Sequence, residues 1–220
     1  MARIAASILS ADFARLAEQV KMVEPYADMI HVDVMDAHFV PPLTIGPVVV
    51  ESLRPVSELP LHCHLMVEHP ERLFEDFARA GTDIVTFHLE AADDPAKVVA
   101  AAEEHGMRPG IAVNPETGVD AVYPHLEGLD NVIVMTLAST GYAGQPFQDS
   151  SLAKIEALRS EIDRRDLGAE IIVDGGINEE TGERCIAAGA TMLAAASSIF
   201  KADDPARAAE SLARVAGRAG

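Results

Sequence analysis

Hydrophobic positions along this chain fall into short apolar runs separated by longer stretches of mixed polarity. The runs are rich in Val, Ile and Leu, which is typical of strands buried on both faces of a parallel sheet. They predict strands at residues 3–9, 30–40, 59–67, 83–90, 108–113, 131–137, 170–173 and 192–195. The second run passes into an irregular loop from residue 39, where Pro41 and Pro42 prevent a central strand from continuing.

The stretches between these runs place apolar residues at the spacing of an amphipathic helix. Phe13, Leu16, Val20 and Val23 show this spacing after Asp12, which is a suitable helix cap. Helices are predicted at residues 13–23, 47–53, 69–81, 94–104, 119–126, 152–164, 179–188 and 205–215.

This alternation predicts an α/β fold with a parallel sheet covered by helices. Eight strand-helix units in 220 residues fit a closed (β/α)₈ TIM barrel, and we expect residues 1–220 to form a single barrel domain. A doubly wound open sheet is the alternative. It is disfavoured because Ile8-Leu9-Ser10 follows the first strand, rather than the Gly-x-Gly-x-x-Gly phosphate turn of that fold.

Composition and charge narrow the class of protein. Hydrophobic residues make up 49% of the chain, but no apolar run reaches the ~18 residues of a membrane span, and Asp12 interrupts the first segment before a signal-peptide core forms. We therefore expect a cytoplasmic protein with no membrane partner. The net charge of −18 argues against nucleic acid but is compatible with anionic small substrates, because backbone N–H groups bind phosphate without lysine. Cys63 and Cys185 lie in apolar segments, which indicates reduced structural thiols.

Residues suited to chemistry share one face of the second strand. Successive strand side chains point to opposite faces, so His31, Asp33 and Met35 lie on one face and Val32 and Val34 on the other. An imidazole and a carboxylate two residues apart suit a divalent-metal site or an acid/base pair. The alternative is a buried His-Asp hydrogen bond that only fixes the strand.

A barrel carries its chemistry at the C-terminal ends of its strands, and further polar residues fall there. They are Ser7, His31, Asp33, Asp36, His64, His88, Glu90, Asn114 and Asp174. We expect two imidazoles and two carboxylates to converge near the barrel axis, those of His31, Asp33, His64 and Asp174. This mixed donor set suits one Zn²⁺, Mn²⁺, Co²⁺ or Fe²⁺ ion better than Ca²⁺ or Mg²⁺.

Small residues, mostly glycine, mark the loops that follow the last three strands. Gly141-Tyr142-Ala143-Gly144 follows strand six, Gly175-Gly176 follows strand seven, and Ala196-Ser197-Ser198 follows strand eight. Loops at these positions commonly bind phosphate in a barrel, so we expect a phosphate site there. A Schiff-base aldolase is disfavoured, because no predicted strand offers a lysine near its C-terminal end.

Four segments together resemble the ribulose-phosphate 3-epimerase family. They are Ser-Ile-Leu-Ser-Ala-Asp at 7–12, His-Val-Asp-Val-Met-Asp-Ala-His-Phe-Val-Pro at 31–41, His-Leu-Met-Val at 64–67 and Val-Asp-Gly-Gly-Ile-Asn at 173–178. The resemblance covers nearly the whole chain. It implies a TIM-barrel isomerase that inverts carbon 3 of a ketose phosphate through an enediolate, with one divalent metal ion and a homo-oligomeric assembly.

The resemblance also implies a role for individual residues. Asp33 and Asp174 match the acid/base pair, and with His31 and His64 they match the metal ligands. The substrate contacts match Ser7, His64, Met35, Met66 and Met135. The phosphate loops match Gly141, Tyr142, Ala143, Gly144, Gly175, Gly176, Ala196 and Ser197. Met35 and Met66 are equally suited to filling a hydrophobic core.

The chain departs from the family pattern at several positions. Ala6, Ala37, Pro42, His62 and Ala196 stand where the family usually has Pro, Gly, Asn, Asp and Gly, and loop 137–144 is one residue longer. None of these changes removes an expected ligand or base. Because several fall in loops around the site, we expect them to affect the choice of substrate. His62 is expected to support the site from the barrel core rather than to act as a fifth ligand.

Three functions remain open from the sequence. The first is conversion of D-ribulose 5-phosphate to D-xylulose 5-phosphate. The second is the same reaction on a hexulose, because Cys63-His64, Met135-Thr136 and Ala143-Gly-Gln-Pro-Phe147 also resemble allulose-6-phosphate 3-epimerase. The third is a catalytically silent barrel that binds sugar phosphates, since fold alone does not settle function.

Overall fold

Eight parallel strands close into a barrel in the computed structural model, which describes residues 1–217. The strands are β1 (Arg3–Ser7), β2 (Met29–Met35), β3 (Leu61–Met66), β4 (Ile84–His88), β5 (Arg108–Val113), β6 (Asn131–Met135), β7 (Glu170–Asp174) and β8 (Met192–Ala195). Each strand pairs with its neighbours in chain order, and β8 pairs with β1 to close the barrel. The predicted TIM barrel is therefore confirmed, and an open doubly wound sheet is excluded.

Helices cover the outside of the barrel. They are α1 (Leu16–Val23), α2 (Pro47–Leu53), α3 (Phe74–Arg79), α4 (Pro95–Glu104), α5 (Ser151–Arg164), α6 (Glu179–Ala187), α7 (Ser197–Phe200) and α8 (Pro205–Val215). Side chains cap several of them at the first turn: Asp94, Asn178 and Asp204 each accept a backbone N–H there. Among the described residues, no helix is both long and apolar enough to span a bilayer.

Some predicted helices are wholly or partly 3₁₀ helices. The predicted helix at 119–126 is the 3₁₀ segment Val119–His125, in which Pro124 lacks the N–H needed for a regular α-helix. The segment predicted at 69–81 begins as a 3₁₀ turn over Pro70–Leu73 before α3. Pro124 removes a donor inside its segment, whereas Pro70 occupies the first position of its turn, where that donor is not needed. The helix predicted at 13–23 also begins as a 3₁₀ segment, Phe13–Arg15, which contains no proline.

Several strands, among them β1 and β2, end earlier than the apolar runs predict. β1 ends at Ser7, whose hydroxyl accepts the N–H of Leu9 and turns the chain into a 3₁₀ segment. β2 ends at Met35, and the carboxylate of Asp36 then accepts the N–H groups of His38 and Phe39 at 2.8 and 2.9 Å. In both places a polar side chain bonds to nearby backbone N–H groups and favours a turn over a continued strand.

Buried side chains lie on both sides of the barrel wall. Outward-facing strand residues such as Val32 and Leu65 pack against the helices in the larger core. The barrel interior contains a smaller apolar group, but it also holds fully buried polar residues: His31, His62, His64, Thr86, His88 and Asn131. Bulky apolar residues usually fill a barrel interior, so this polar content singles out the region for closer description.

Both cysteines are buried and free. Cys63 lies on β3 and Cys185 on α6, and burial raises the pKa of each thiol to about 12. A thiol with so high a pKa is a poor nucleophile at neutral pH. The two cysteines therefore act as small packing residues.

Candidate active site

Four side chains from three strands meet at the C-terminal end of the barrel. β2 supplies His31 and Asp33, β3 supplies His64, and β7 supplies Asp174. The parallel register pairs Asp33 with His64, which places both side chains at the same height inside the barrel. One nitrogen or oxygen of each residue lies within 4.8 Å of the corresponding atoms of the other three. The structure thus brings together the four residues proposed as metal ligands.

The spacing of these four atoms fits a metal site. Nε2 of His31 lies 3.2 Å from Oδ1 of Asp33 and 3.6 Å from Oδ2 of Asp174. Nδ1 of His64 lies 3.2 and 3.3 Å from the same two oxygens. With metal-ligand bonds of ~2.1 Å, two donor atoms that share one ion can be up to about 4.2 Å apart, and these four separations are all shorter than that. Two imidazole nitrogens and two carboxylate oxygens are also a donor set that suits a transition-metal ion.

Burial gives this cluster strong electrostatic coupling. The side chains of His31 and His64 are fully buried, and those of Asp33 and Asp174 are 3% and 16% exposed. Burial opposes an imidazolium, but the neighbouring carboxylates outweigh it and raise the pKa of His31 to about 10. The pKa of His64 is raised by the same balance.

The pKa values of the two carboxylates shift in the opposite direction from those of the histidines. Burial alone would raise the pKa of Asp33, but His31 and His64 outweigh it and hold that pKa well below its usual range. The pKa of Asp174 is also lowered, against burial and the nearby charge of Asp33. Two protons on the histidines, or one divalent ion, supply the positive charge that the buried carboxylates require.

Hydrogen bonds orient Asp33 at the end of β2. The hydroxyl of Ser7 donates to Oδ2 of Asp33 at 2.6 Å, and Oδ1 faces His31 and His64. Thr44, in the loop after β2, donates to the Asp33 carbonyl at 2.8 Å and accepts the N–H of Met35 at 2.9 Å. Asp33 is therefore fixed by one hydrogen bond to its carboxylate and by another to its backbone carbonyl.

Two further histidines lie directly behind the proposed ligands. Nδ1 of His62 is 3.3 Å from Nδ1 of His31, and Nε2 of His88 is 2.9 Å from Nε2 of His64. Neither belongs to the four-atom cluster. Burial and the neighbouring imidazolium groups lower the pKa of His62 well below its usual value, and burial lowers that of His88 to about 4 despite the carboxylate of Glu90. Both rings are therefore neutral at pH 7 and can accept a hydrogen bond.

A cavity opens above the cluster, at the C-terminal end of the barrel. Asp33 and Asp174 reach it from below. Its wall includes the expected substrate contacts Ser7, Met35, Met66 and Met135. It also includes every expected phosphate residue: Gly141, Tyr142, Ala143, Gly144, Gly175, Gly176, Ala196 and Ser197. His64, also an expected substrate contact, is fully buried outside the cavity wall.

Sequence reasoning misses four apolar residues of the cavity wall: Leu9, Leu137, Ile177 and Ala194. Each of them is indistinguishable from a core residue in the sequence, because it lies in or beside an apolar strand. Their shared signal is position, since all four lie at or just beyond the C-terminal end of a barrel strand.

Loops after β6 and β7 approach each other closely at one side of the cavity. Gly176 has a φ of +66°, and a Cβ there would lie 2.7 Å from the backbone nitrogen of Phe147. This position therefore requires glycine for both its conformation and its space. The described residues that line the cavity include no Lys or Arg, so backbone N–H groups and hydroxyls are the donors it offers to an anion.

Comparison with known proteins identifies the family. A sequence model of the Ribulose-phosphate 3 epimerase family matches residues 3–200. The chain belongs to the ribulose-phosphate 3-epimerase family. The ribulose-phosphate 3-epimerase of Bacillus subtilis (strain 168) is 44% identical over 208 residues, which cover 93% of this chain and 94% of the relative. The enzyme of the same name from Mycobacterium tuberculosis (strain ATCC 25618 / H37Rv) is 44% identical over 216 residues, which cover 98% and 93%. The resemblance seen in the sequence is confirmed, and the chain is an epimerase of the isomerase class.

Solved structures outside the ribulose-phosphate 3-epimerase family share its barrel. KGPDC from Streptococcus mutans has a TM-score of 0.76 at 17% identity, over 99% of this chain and 98% of that chain. A 3-hexulose-6-phosphate synthase has a TM-score of 0.75 at 22% identity, over 97% and 99%. At this level of identity the likeness shows the fold alone.

One departure from the usual ribulose-phosphate 3-epimerase pattern changes the backbone energy of a loop. Ala37, which follows β2, has a φ of +60°, in the left-handed region that glycine adopts freely. Its N–H still donates to the carbonyl of Pro42 at 3.0 Å, and Asp36 pairs with Leu43 in an isolated bridge. The chain therefore keeps a turn suited to glycine while placing a Cβ in a strained conformation.

Proposed function

We propose that this protein is a metal-dependent epimerase that converts D-ribulose 5-phosphate to D-xylulose 5-phosphate. The observation that carries the proposal is the position of Asp33 and Asp174. They lie on strands that are not neighbours in the barrel, and both carboxylates reach one cavity beside two buried histidines. The names of the bacterial relatives favour a ribulose phosphate as the substrate.

The proposed reaction needs a proton carrier on each face of the substrate. One carboxylate, of Asp33 or Asp174, removes the proton from carbon 3 to leave a planar enediolate, and the other returns a proton to the opposite face. One C–H bond breaks and one forms, so the reaction involves no redox change. In the reverse direction the two carboxylates exchange roles.

His31, Asp33, His64 and Asp174 are proposed to hold one divalent ion, Zn²⁺, Mn²⁺, Co²⁺ or Fe²⁺. When bound, such an ion supplies electrophilic stabilisation of the charge that develops on the substrate oxygens, worth several kcal/mol. Elemental analysis of protein purified without added metal tests this part of the proposal. Full activity after complete removal of metal by a chelator would refute it.

The cavity walls are proposed to shield and anchor the substrate. Met35, Met66 and Met135 are only 2–3% exposed and would exclude water from the enediolate, while Ser7 contacts the substrate beside Asp33. The phosphate is proposed to bind the loops after β6, β7 and β8. This arrangement is supported by the shared cavity and by its backbone donors.

Asp174→Asn tests the two-carboxylate assignment. The change keeps the size of the side chain and removes its charge, so exchange of the carbon 3 hydrogen with solvent should fall by about 10²- to 10⁴-fold. The measurement is deuterium incorporation from D₂O at saturating metal, alongside the affinity for inorganic phosphate, which should be retained. Asp149→Asn is the matched control, because Asp149 is 75% exposed and pairs with Arg184 outside the cavity. Exchange at the wild-type rate in Asp174→Asn would refute the assignment.

Comparison of two substrates tests the identity of the ketose phosphate. We expect a higher kcat/KM for D-ribulose 5-phosphate than for D-allulose 6-phosphate. A large preference for the hexulose would support the alternative drawn from the Cys63-His64 and Met135-Thr136 segments. Binding of both substrates without turnover would support a silent sugar-phosphate-binding barrel.

Cytoplasmic location and homo-oligomeric assembly complete the proposal. Both rest on the sequence and the family resemblance. Light scattering during size-exclusion chromatography measures the second directly. A monomer at micromolar concentration would contradict it.

A further inference from the structure

A line of buried polar side chains runs from the candidate site down the inside of the barrel. Nδ1 of His31 lies 3.3 Å from Nδ1 of His62, and Nε2 of His62 lies 2.7 Å from Oγ1 of Thr86. Oγ1 of Thr86 in turn lies 2.9 Å from Oδ1 of Asn131. All four residues are completely buried, and Asn131 is the first residue of β6, at the opposite end of the barrel from the cavity.

The donors and acceptors in this line can be ordered from its far end. The carboxylate of Asp130 only accepts, and Nδ2 of Asn131 donates to it at 3.4 Å. Oδ1 of Asn131 therefore faces Thr86 and accepts its hydroxyl hydrogen. The Thr86 oxygen then has only lone pairs left for His62, so Nε2 of His62 carries the hydrogen and donates. Nδ1 of His62 is left as an acceptor that faces His31.

An acceptor on His62 selects one tautomer of His31. Nδ1 of His31 must carry a hydrogen to donate to His62, which leaves Nε2 as the nitrogen that faces Asp33 and Asp174 at 3.2 and 3.6 Å. The other neutral tautomer would place a hydrogen on Nε2 and remove the lone pair that a ligand needs. We infer that His62 is a positioning residue that holds His31 in its metal-binding tautomer, and that Thr86, Asn131 and Asp130 fix His62 in turn. The inference rests on the metal site of the proposed function.

Gly110 makes room for this line in the barrel wall. The strand register pairs Gly110 with Thr86 on β4 and with Asn131 on β6. A Cβ at Gly110 would lie 2.5 Å from Oδ1 of Asn131 and closer still to Oγ1 of Thr86. Any other residue would therefore separate the two polar groups. Glycine is required here by space, so the contact between Thr86 and Asn131 depends on a third strand.

The tautomers can be measured without any substitution. Long-range ¹H–¹⁵N spectra of ¹⁵N-histidine-labelled, Zn²⁺-loaded protein distinguish the two nitrogens of each ring. We expect His62 to carry its hydrogen on Nε2 and His31 to carry its hydrogen on Nδ1. A His62 ring with its hydrogen on Nδ1 would overturn the inference.

Zn²⁺ affinity tests the consequence for the ligand. His62→Phe keeps a ring and removes the acceptor, so the affinity measured by chelator competition should fall by about 10- to 100-fold. Thr86→Val removes one hydroxyl from the line without touching His31, and it should lower the affinity by a smaller factor. Ile133→Val is the matched control, because it removes a methyl group from the same barrel interior and should leave the affinity unchanged.

The outcomes separate the inference from the proposed function. Wild-type affinity in His62→Phe, or an equal loss in Ile133→Val, would overturn the role of His62 while leaving the metal site intact. A wild-type protein that does not bind Zn²⁺ would instead remove the metal site and the inference together. If His62→Phe fails to fold, the ring spectra of the wild-type protein decide the question alone.

Discussion

Replacing Ala37 by glycine should stabilise the protein even though it removes a side chain. Ala37 has a φ of +60°, where an L-residue costs about 1 to 2 kcal/mol. Glycine adopts this conformation freely, but it gives the unfolded chain extra freedom that costs about 0.4 to 1 kcal/mol. Because the side chain is exposed, little packing is lost. The free energy of unfolding should therefore rise by about 0.5 to 1 kcal/mol.

Urea unfolding followed by circular dichroism measures this difference for Ala37→Gly. Ala92→Gly is the matched control, because Ala92 also lies outside regular helix and strand but has an ordinary φ of −114°. Glycine at Ala92 should lower the unfolding free energy by about 1 kcal/mol, because it frees the unfolded chain and also removes a half-buried methyl group. An equal loss in Ala37→Gly would refute the argument that strain at φ +60° outweighs the entropy of glycine.

Three further predictions concern the site. Ser7→Ala removes the 2.6 Å hydrogen bond to Asp33 and should lower kcat/KM by about 10- to 100-fold in steady-state assays; an unchanged value would show that Asp33 is oriented without it. Zn²⁺ binding at pH 7 should release protons, because the pKa of His31 is raised to about 10 and that of His64 is also raised, so affinity should increase with pH. Calorimetry in two buffers of different ionisation enthalpy counts these protons, and the absence of any release would show neutral imidazoles. Glu90→Gln should lower the unfolding free energy by about 1 kcal/mol at pH 7, allowing for partial solvent screening. The native pKa of Glu90 is lowered to about 2 from an ordinary 4.5, so this contribution is present above about pH 4.5 and is lost as pH falls towards 2; a difference that does not change with pH would contradict this reasoning.

Much of the fold could be predicted because hydrophobic periodicity and strand order both follow the chain. A barrel in which each strand pairs with the next needs no information beyond the sequence of strands and helices. The errors lie at ends such as Ser7 and Met35, where a side-chain hydrogen bond stops a strand inside an apolar run. The alternation of apolar and polar residues along a strand does not show where a side chain will bond to nearby backbone N–H groups and end the strand.

The meeting of His31, Asp33, His64 and Asp174 could be predicted because the strand ends of a barrel share one rim. The hydrogen-bond partners of His62 could not be predicted in the same way. Strand alternation shows that His62 faces inward, but its partner Thr86 lies 24 residues away, and Asn131 a further 45. Whether a buried imidazole accepts or donates depends on those partners, and their contact depends in turn on the space left by Gly110.

The polar line through the barrel argues against a silent sugar-phosphate-binding barrel. Leaving any one of its buried groups unpaired costs about 1 to 3 kcal/mol, and branched apolar residues fill most barrel interiors without that risk. Phosphate binding gains nothing from His62, Thr86 or Asn131, because the lining of the cavity does not include them. The one functional group that the line contacts is His31, at the face turned away from the carboxylates. A barrel that only bound phosphate would not need to fix the tautomer of His31. A barrel that binds metal through Nε2 of His31 requires that tautomer to be fixed.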